Sequence, residues 1–132
     1  MKKIVQAVTF LTCLLPTFVF AANECKTHRN QFVDNDDYKI WSTVICPHQS
    51  VARHTHAYPR VLIPKDEGVL RVTYTDKPTG KDNPRDFRLE KNKPVYLDYN
   101  EGKDPHTDEI LGDRPVTVLV IELKTAKILE MR

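Results

Sequence analysis

The chain has 132 residues, which leaves room for one domain. Its 20 Lys and Arg residues are nearly balanced by 18 Asp and Glu residues, and the charges are interspersed along the chain. This pattern excludes the concentrated basic surface of a protein that binds nucleic acid or an anionic membrane.

The first residues have the composition of a secretory signal peptide. Lys2 and Lys3 give a positive start, residues 4–20 are mostly apolar, and Ala21 ends a Val-Phe-Ala sequence suited to a signal peptidase. We therefore predict a signal peptide over residues 1–21 and an exported mature domain, periplasmic or secreted, over residues 22–132. A membrane anchor is the alternative, but the apolar run is short. After cleavage we expect no membrane association.

Two cysteines remain after cleavage, Cys25 and Cys46. In an oxidising compartment an even number of cysteines most simply forms a disulfide, which here would join the N-terminal arm to the end of the first predicted strand. A pair of thiolate metal ligands or a redox couple is the alternative, although the spacing is long and there is no CxxC motif.

The mature chain is a series of short β-branched and aromatic segments separated by turn residues. A polar arm over residues 22–37 precedes the first strand, and loops are expected over residues 76–85 and 100–105. The long apolar run near the C-terminus is expected to be a central strand. No stretch has a sustained helical period, so the sequence predicts an all-β sandwich or barrel. The predicted strands are residues 38–45, 50–56, 61–63, 69–75, 87–89, 95–97 and 115–123.

The most informative residues are two histidines in the second predicted strand. His54 and His56 are one residue apart, so in a strand their side chains project from the same face. Two imidazoles on one face form half of a transition-metal site, and His106 is the candidate for the other half. The alternative is that the three histidines make only local hydrogen bonds.

This order of residues resembles the cupin family. The first motif of that family is HxH, with a Glu four or five residues later and a Gly beyond, and the second motif supplies one more His after a Gly-containing loop. The resemblance covers about residues 44–123, and it implies a small single-domain cupin-like β-barrel, which is a double-stranded β-helix or jelly roll. The matching residues are His54, His56, Gly68, Gly102 and His106.

The sequence departs from the family pattern at the carboxylate ligand. Arg60 or Val61 stands where the Glu is expected, and Ile110 stands where the second motif usually has Asn. The resemblance therefore implies at most a three-histidine site for a divalent transition metal (Zn, Fe, Ni, Cu or Mn), with open positions for water or a ligand. Arg60 would either weaken metal binding by charge repulsion or anchor a carboxylate or phosphate of a ligand.

A small polar or acidic molecule is the expected partner in the pocket. Its predicted contacts are Arg60, Tyr58, Tyr74 and Asp98. Tyrosines on barrel strands also pack in cores, and Asp98 is alternatively a solvated charge or the replacement for the lost carboxylate ligand. Three acidic residues flank His106 and are candidates for orienting its ring: Asp104, Asp108 and Glu109.

The activity is left open by the sequence. A metal-dependent dioxygenase, isomerase or lyase and a non-catalytic module that binds a metal or a small acid are both compatible with the residues. The loss of the family's Glu and Asn favours the binding module. A metal-free small-molecule pocket or a structural barrel is a further alternative. The resemblance permits a homodimer, and no nucleic-acid partner is expected.

Overall fold

The structure is a computed structural model that describes residues 24–76 and 78–126. The predicted signal peptide, residues 1–21, lies outside the described residues. No helix among the described residues is long and apolar enough to cross a membrane. Within the described ranges, a 3₁₀ turn at Tyr99–Glu101 lies among a series of strands. The strands are β1 (His28–Asp34), β2 (Tyr38–Ile45), β3 (Ser50–His54), β4 (Arg60–Pro64), β5 (Gly68–Thr75), β6 (Asp82–Leu89), β7 (Val95–Leu97), β8 (His106–Leu111) and β9 (Val116–Leu123).

These strands form two antiparallel sheets. One contains five strands in the order β1-β2-β9-β4-β7, and the other contains four in the order β3-β8-β5-β6. Strands that are far apart in sequence are neighbours, such as β2 with β9 and β3 with β8, because the chain passes back and forth between the sheets. The all-β jelly-roll prediction is confirmed, with the difference that neither sheet closes on itself.

The hydrophobic core lies between the two sheets. Side chains alternate between the faces of a strand, and in β9 every second residue from Val116 to Glu122 is buried. Trp41 on β2 is only 1% exposed and packs in the same cluster. The buried cluster draws on both sheets, with Trp41, Ile45, Val116, Val118 and Val120 from one and Leu70, Val72, Leu89 and Ile110 from the other.

Two segments predicted to be irregular are strands at the edges of the sheets. Residues 28–34, predicted as part of a polar arm, form β1, and residues 82–85, predicted as loop, begin β6. Both are edge strands, which have one edge unpaired and open to solvent and therefore tolerate polar side chains. Pro84 lacks a backbone N–H and is compatible with an edge position in β6. The expectation of coil was wrong because polarity alone does not distinguish a loop from an edge strand.

Near the histidines, two strand boundaries in the structure differ from the predicted ones. The strand predicted over residues 50–56 ends at His54, and residues 106–111, for which no strand was predicted, form β8 beginning at His106. His54 and His106 therefore both lie at strand ends, where the chain enters or leaves the sheet.

The structure contains the predicted disulfide between Cys25 and Cys46, with the two Cα atoms 5.8 Å apart. It joins the segment before β1 to the residue that follows β2. Cys46 is completely buried, and its backbone N–H donates to the Thr27 hydroxyl at 2.9 Å. The bridge therefore holds the edge strand β1 against the body of the five-stranded sheet.

Replacing both cysteines, as Cys25→Ala/Cys46→Ala, should lower the free energy of unfolding by about 3 kcal/mol, because the loop of about 20 residues would no longer be closed in the unfolded chain. Urea denaturation at neutral pH measures this loss. Adding a reductant should destabilise the wild-type protein to a similar extent and leave the variant unchanged. Equal stability of the oxidised wild type and the variant would contradict the expectation.

Candidate metal centre

Among the described residues, His54, His56 and His106 form a group whose candidate ligand atoms all lie within 4.8 Å of one another. The ring centroids are 4.5 Å apart for His54 and His106, 4.9 Å for His54 and His56, and 5.5 Å for His56 and His106. His106 is 1% exposed, His56 is buried, and His54 is half-buried. The fold thus brings together the three histidines predicted from the sequence.

The pairing of β3 and β5 with β8 brings the rings of His54, His106 and Tyr74 together. β3 pairs with β8 so that His54 lies directly opposite His106, and β5 places Tyr74 opposite His106 on the other side. His56 lies beyond the end of β3, in the segment that crosses from the four-stranded sheet to β4 in the five-stranded sheet. Its backbone N–H donates to the Gly102 carbonyl at 2.7 Å. The cluster therefore depends on this crossing as well as on strand alternation.

Two of the rings are oriented by carbonyl groups two residues earlier in the chain. His54 Nδ1 is 2.8 Å from the Ala52 carbonyl oxygen, and His106 Nδ1 is 2.8 Å from the Asp104 carbonyl oxygen. A carbonyl oxygen can only accept a hydrogen bond, so each Nδ1 carries the hydrogen. In the neutral ring this leaves the Nε2 lone pair available for a metal.

The third ring is oriented by a buried carboxylate. His56 Nδ1 lies 2.9 Å from Oε1 of Glu122 on β9, and the His56 ring stacks on Trp41 with an interplanar angle of 8°. A carboxylate in this position makes an imidazole a better metal ligand. Glu122 was not predicted as a site residue, although the apolar alternation of β9 offered a signal. It is a charged residue at an inward-facing position, in step with Val118 and Val120.

Burial favours the uncharged form of two of the rings. It lowers the pKa of His54 below its ordinary value, with His106 and Arg29 acting in the same direction. Burial also lowers the pKa of His56, and the hydrogen bond to Glu122 only partly opposes it. The neutral imidazole is the form that binds a metal, so the environment of both rings suits a ligand role.

Arg60 is a buried cation beside this cluster. It is 5% exposed, and its Nη2 donates to the Glu101 carbonyl at 3.0 Å. Nη1 is buried and has no hydrogen-bond partner among the described residues. A Cβ at Gly102 would overlap Nη1, so only glycine at position 102 allows the guanidinium to lie where it does. The result is a buried guanidinium whose hydrogen-bonding capacity is incompletely used.

A cavity of about 310 Å³ adjoins the cluster, and His54, His56, Arg60 and Tyr74 are in its wall. The Tyr74 ring centroid is 5.2 Å from that of His106. Most of the remaining wall is apolar, and several charged residues complete it. The apolar residues include Leu62, Leu70, Val72, Leu97 and Val120, and the charged residues are Arg29, Arg85, Arg88, Asp86, Glu101 and Asp108.

The other two predicted ligand contacts lie elsewhere. Asp98 caps the 3₁₀ turn by accepting from the backbone N–H groups of Asn100 at 2.7 Å and Glu101 at 3.3 Å, and it lines a separate, more open depression. Tyr58 is half-buried and is not among the described residues in the cavity wall. Any contact of Asp98 or Tyr58 with a ligand stays a prediction.

The three acidic residues flanking His106 have different surroundings. Asp104 orients the His106 ring, but through its backbone carbonyl. Asp108 directs its side chain towards His54, with Oδ2 3.5 Å from His54 Nε2. Glu109 pairs across the sheet with Arg71 on β5, away from the cavity wall.

No protein-family model matches the sequence, and no curated protein matches it. Similar folds do occur among solved structures. A cupin domain from Bordetella pertussis Tohama I is 21% identical with a TM-score of 0.60, covering 74% of this chain and 93% of that one. A cupin family protein with a double-stranded β-helix fold from Methanocaldococcus jannaschii is 13% identical with a TM-score of 0.56, covering 90% and 99%.

A third similar structure is a cupin superfamily protein from Desulfitobacterium hafniense DCB-2. It is 15% identical with a TM-score of 0.52, and the alignment covers 77% of this chain and 81% of that one. At these identities the likeness concerns the fold alone. The chain has the cupin fold, as the sequence resemblance predicted.

The lowered pKa values of His54 and His56 predict a pH-dependent stability of the metal-free protein. As the pH falls from about 7 to about 5, the unfolded chain takes up protons on these rings before the folded chain does, so the free energy of unfolding should fall. Urea denaturation with a chelator present measures this slope.

The variant His54→Gln/His56→Gln should show a shallower slope over the same pH range, because neither ring remains to take up a proton. His28→Gln is the control, since the His28 ring lies on the edge strand β1 with the same local contact, Nδ1 to a carbonyl oxygen two residues earlier at 2.7 Å. Identical slopes in the wild type and the double variant would contradict the assignment.

Proposed function

We propose that this cupin-fold domain binds one divalent transition metal through His54, His56 and His106 and holds a small acidic molecule in the adjoining cavity. The observation that carries the proposal is the arrangement of the rings. Each Nδ1 is taken up by an oxygen acceptor, and the three candidate ligand atoms lie within 4.8 Å of one another. When bound, such a metal would act as a Lewis acid towards an oxygen atom of the ligand.

The donor set fits this class of ion. Neutral imidazole nitrogen is a good ligand for Zn²⁺, Fe²⁺, Ni²⁺ and Cu²⁺, and three protein ligands leave positions for water or a second molecule. In the described part of the chain no thiolate that would select softer ions joins the cluster, because its two cysteines, Cys25 and Cys46, are joined in the disulfide. Ions that prefer all-oxygen sites are a poorer match.

A small carboxylic acid fits the cavity. Arg60 lies in the cavity wall, its Nη1 has no hydrogen-bond partner among the described residues, and a guanidinium that turns towards a carboxylate binds it through parallel hydrogen bonds. Other arginines in the wall, Arg29, Arg85 and Arg88, add positive potential at a distance. The apolar part of the wall accommodates a hydrocarbon body, and a volume of about 310 Å³ limits the ligand to a small molecule.

An enzyme that acts on such an acid is the second candidate, and Tyr74 is the observation that favours it. Its side chain lies in the wall of the same cavity, and burial raises the pKa of its phenol above the ordinary value. The hydroxyl carries its proton at neutral pH and makes one long hydrogen bond, to the Glu101 carbonyl at 3.5 Å, which an oxygen of a bound acid could replace. Formation of a product from a bound acid, lost in Tyr74→Phe, would distinguish this candidate from simple binding.

The disulfide supports a location outside the cytoplasm. Disulfides persist in oxidising compartments and are rare where thiols are kept reduced, so the Cys25–Cys46 bridge fits export. Together with the signal peptide predicted over residues 1–21, it leads us to propose that the domain acts in the periplasm or after secretion.

Elemental analysis of the purified mature domain, residues 22–132, tests the metal site. The wild type, loaded with Zn²⁺ or Ni²⁺ and desalted, should retain close to one ion per chain. His54→Ala/His56→Ala should retain less than about one tenth of that, since one remaining imidazole binds these ions weakly. His28→Ala removes a histidine outside the cluster and should behave as the wild type does. A metal-free wild type, or equal retention by the double variant, would contradict the proposal.

Thermal denaturation with matched ligands tests the acid site. Butanoate and benzoate should raise the melting temperature of the wild type, and the uncharged butanamide and benzamide should not. Arg60→Met keeps much of the side-chain volume and should weaken acid binding about tenfold or more, because a charge-assisted hydrogen bond is lost. Arg114→Met is the control on an exposed turn. Equal stabilisation by acids and amides would refute a carboxylate site at Arg60.

A further inference from the structure

We infer that Asp108 is the carboxylate ligand of this metal, in place of the Glu that the family pattern expects near residues 60–61. The inference rests on the proposed three-histidine site. Asp108 follows His106 by two residues on β8, so both side chains project from the same face of the strand. Its partners across the sheet are Val51 on β3 and Val72 on β5. They lie next to the His54–His106 pair on the same sheet.

The contact between Asp108 and His54 joins two acceptors. His54 Nδ1 donates its hydrogen to the Ala52 carbonyl, which leaves Nε2 of the neutral ring with a lone pair. That nitrogen lies 3.5 Å from Asp108 Oδ2. A negatively charged carboxylate oxygen is also stabilised by a nearby cation. A lone pair and a carboxylate oxygen repel each other unless a positive ion lies between or beside them.

A metal ion satisfies this arrangement better than a proton does. A proton shared between His54 and Asp108 would relieve the repulsion of these two groups only. The Nε2 atoms of His56 and His106 would still have no common partner. A divalent cation can be bound by the three nitrogens, which lie within 4.8 Å of one another, and the carboxylate 3.5 Å from one of them can supply a fourth ligand.

The second oxygen of Asp108 points to the same conclusion. Oδ1 is buried and has no hydrogen-bond partner among the described residues. A buried carboxylate oxygen without a partner is costly, and a bound cation would compensate the charge. Asp86 shows the contrast within the same cavity wall, since both of its oxygens accept hydrogen bonds from Arg71, at 2.8 and 2.9 Å.

Binding of Co²⁺, measured by chelator competition and by its visible absorption spectrum, tests the inference on the mature domain. Asp108→Asn keeps the size of the side chain and removes its charge. It should bind Co²⁺ about 10- to 100-fold more weakly than the wild type, with a changed spectrum, because one ligand has been lost or weakened. Glu109→Gln removes a carboxylate of the same strand that lies away from the cavity wall, and it should match the wild type in affinity and spectrum.

The outcomes separate this inference from the metal site itself. Wild-type affinity and an unchanged spectrum in Asp108→Asn would overturn the role of Asp108 and leave the three-histidine site standing. Failure of the wild type to bind Co²⁺ would overturn both.

A measurement on the wild type alone covers the case in which Asp108→Asn does not fold. Zn²⁺ added to ¹³C-labelled protein should shift the Asp108 carboxyl resonance and leave that of Asp86 in place. Shifts of the histidine rings without a shift at Asp108 would refute the carboxylate ligand.

Discussion

The candidate site depends on one repeated interaction, a hydrogen bond from the Nδ1 atom of each imidazole to an oxygen that can only accept. Ala52, Asp104 and Glu122 supply those oxygens, two of them from the backbone and one from a side chain. Each bond selects the tautomer as well as the ring orientation, so the nitrogen left in every ring is Nε2. Without these acceptors, three neutral rings could rotate independently and would not present a common donor set.

The short segment that crosses from β3 to β4 carries several of the functional side chains. His54 ends β3, Arg60 begins β4, and His56 lies between them, so one segment supplies two imidazoles and the buried guanidinium. Its neighbours are fixed by the second half of the chain, where β8 carries His106 and β9 carries the partner of His56. Gly102 allows Arg60 to pack closely and accepts a hydrogen bond from the His56 backbone. A metal pocket and an anion-binding group thereby share one cavity.

Sequence patterns predicted the parts of this fold that depend on burial. Residues 38–45 and the central strand β9 have the β-branched and apolar composition that a buried strand requires, and their predicted positions agree with the structure. The edge strands β1 and β6 were not predicted, because a strand exposed to solvent does not need an apolar, β-branched composition. The three histidines were predicted from their spacing and the cupin resemblance. The contact of Asp108 with His54 was not, since it depends on strand register, which spacing along the chain does not determine.

The most direct test is a crystal of the mature domain soaked with Zn²⁺ and measured at the zinc absorption edge. We expect one anomalous-difference peak per chain, about 2.0–2.1 Å from the Nε2 atoms of His54, His56 and His106. A peak on Nδ1 atoms, at His28, or nowhere in a protein that retains its fold would contradict a metal centre built from these three rings.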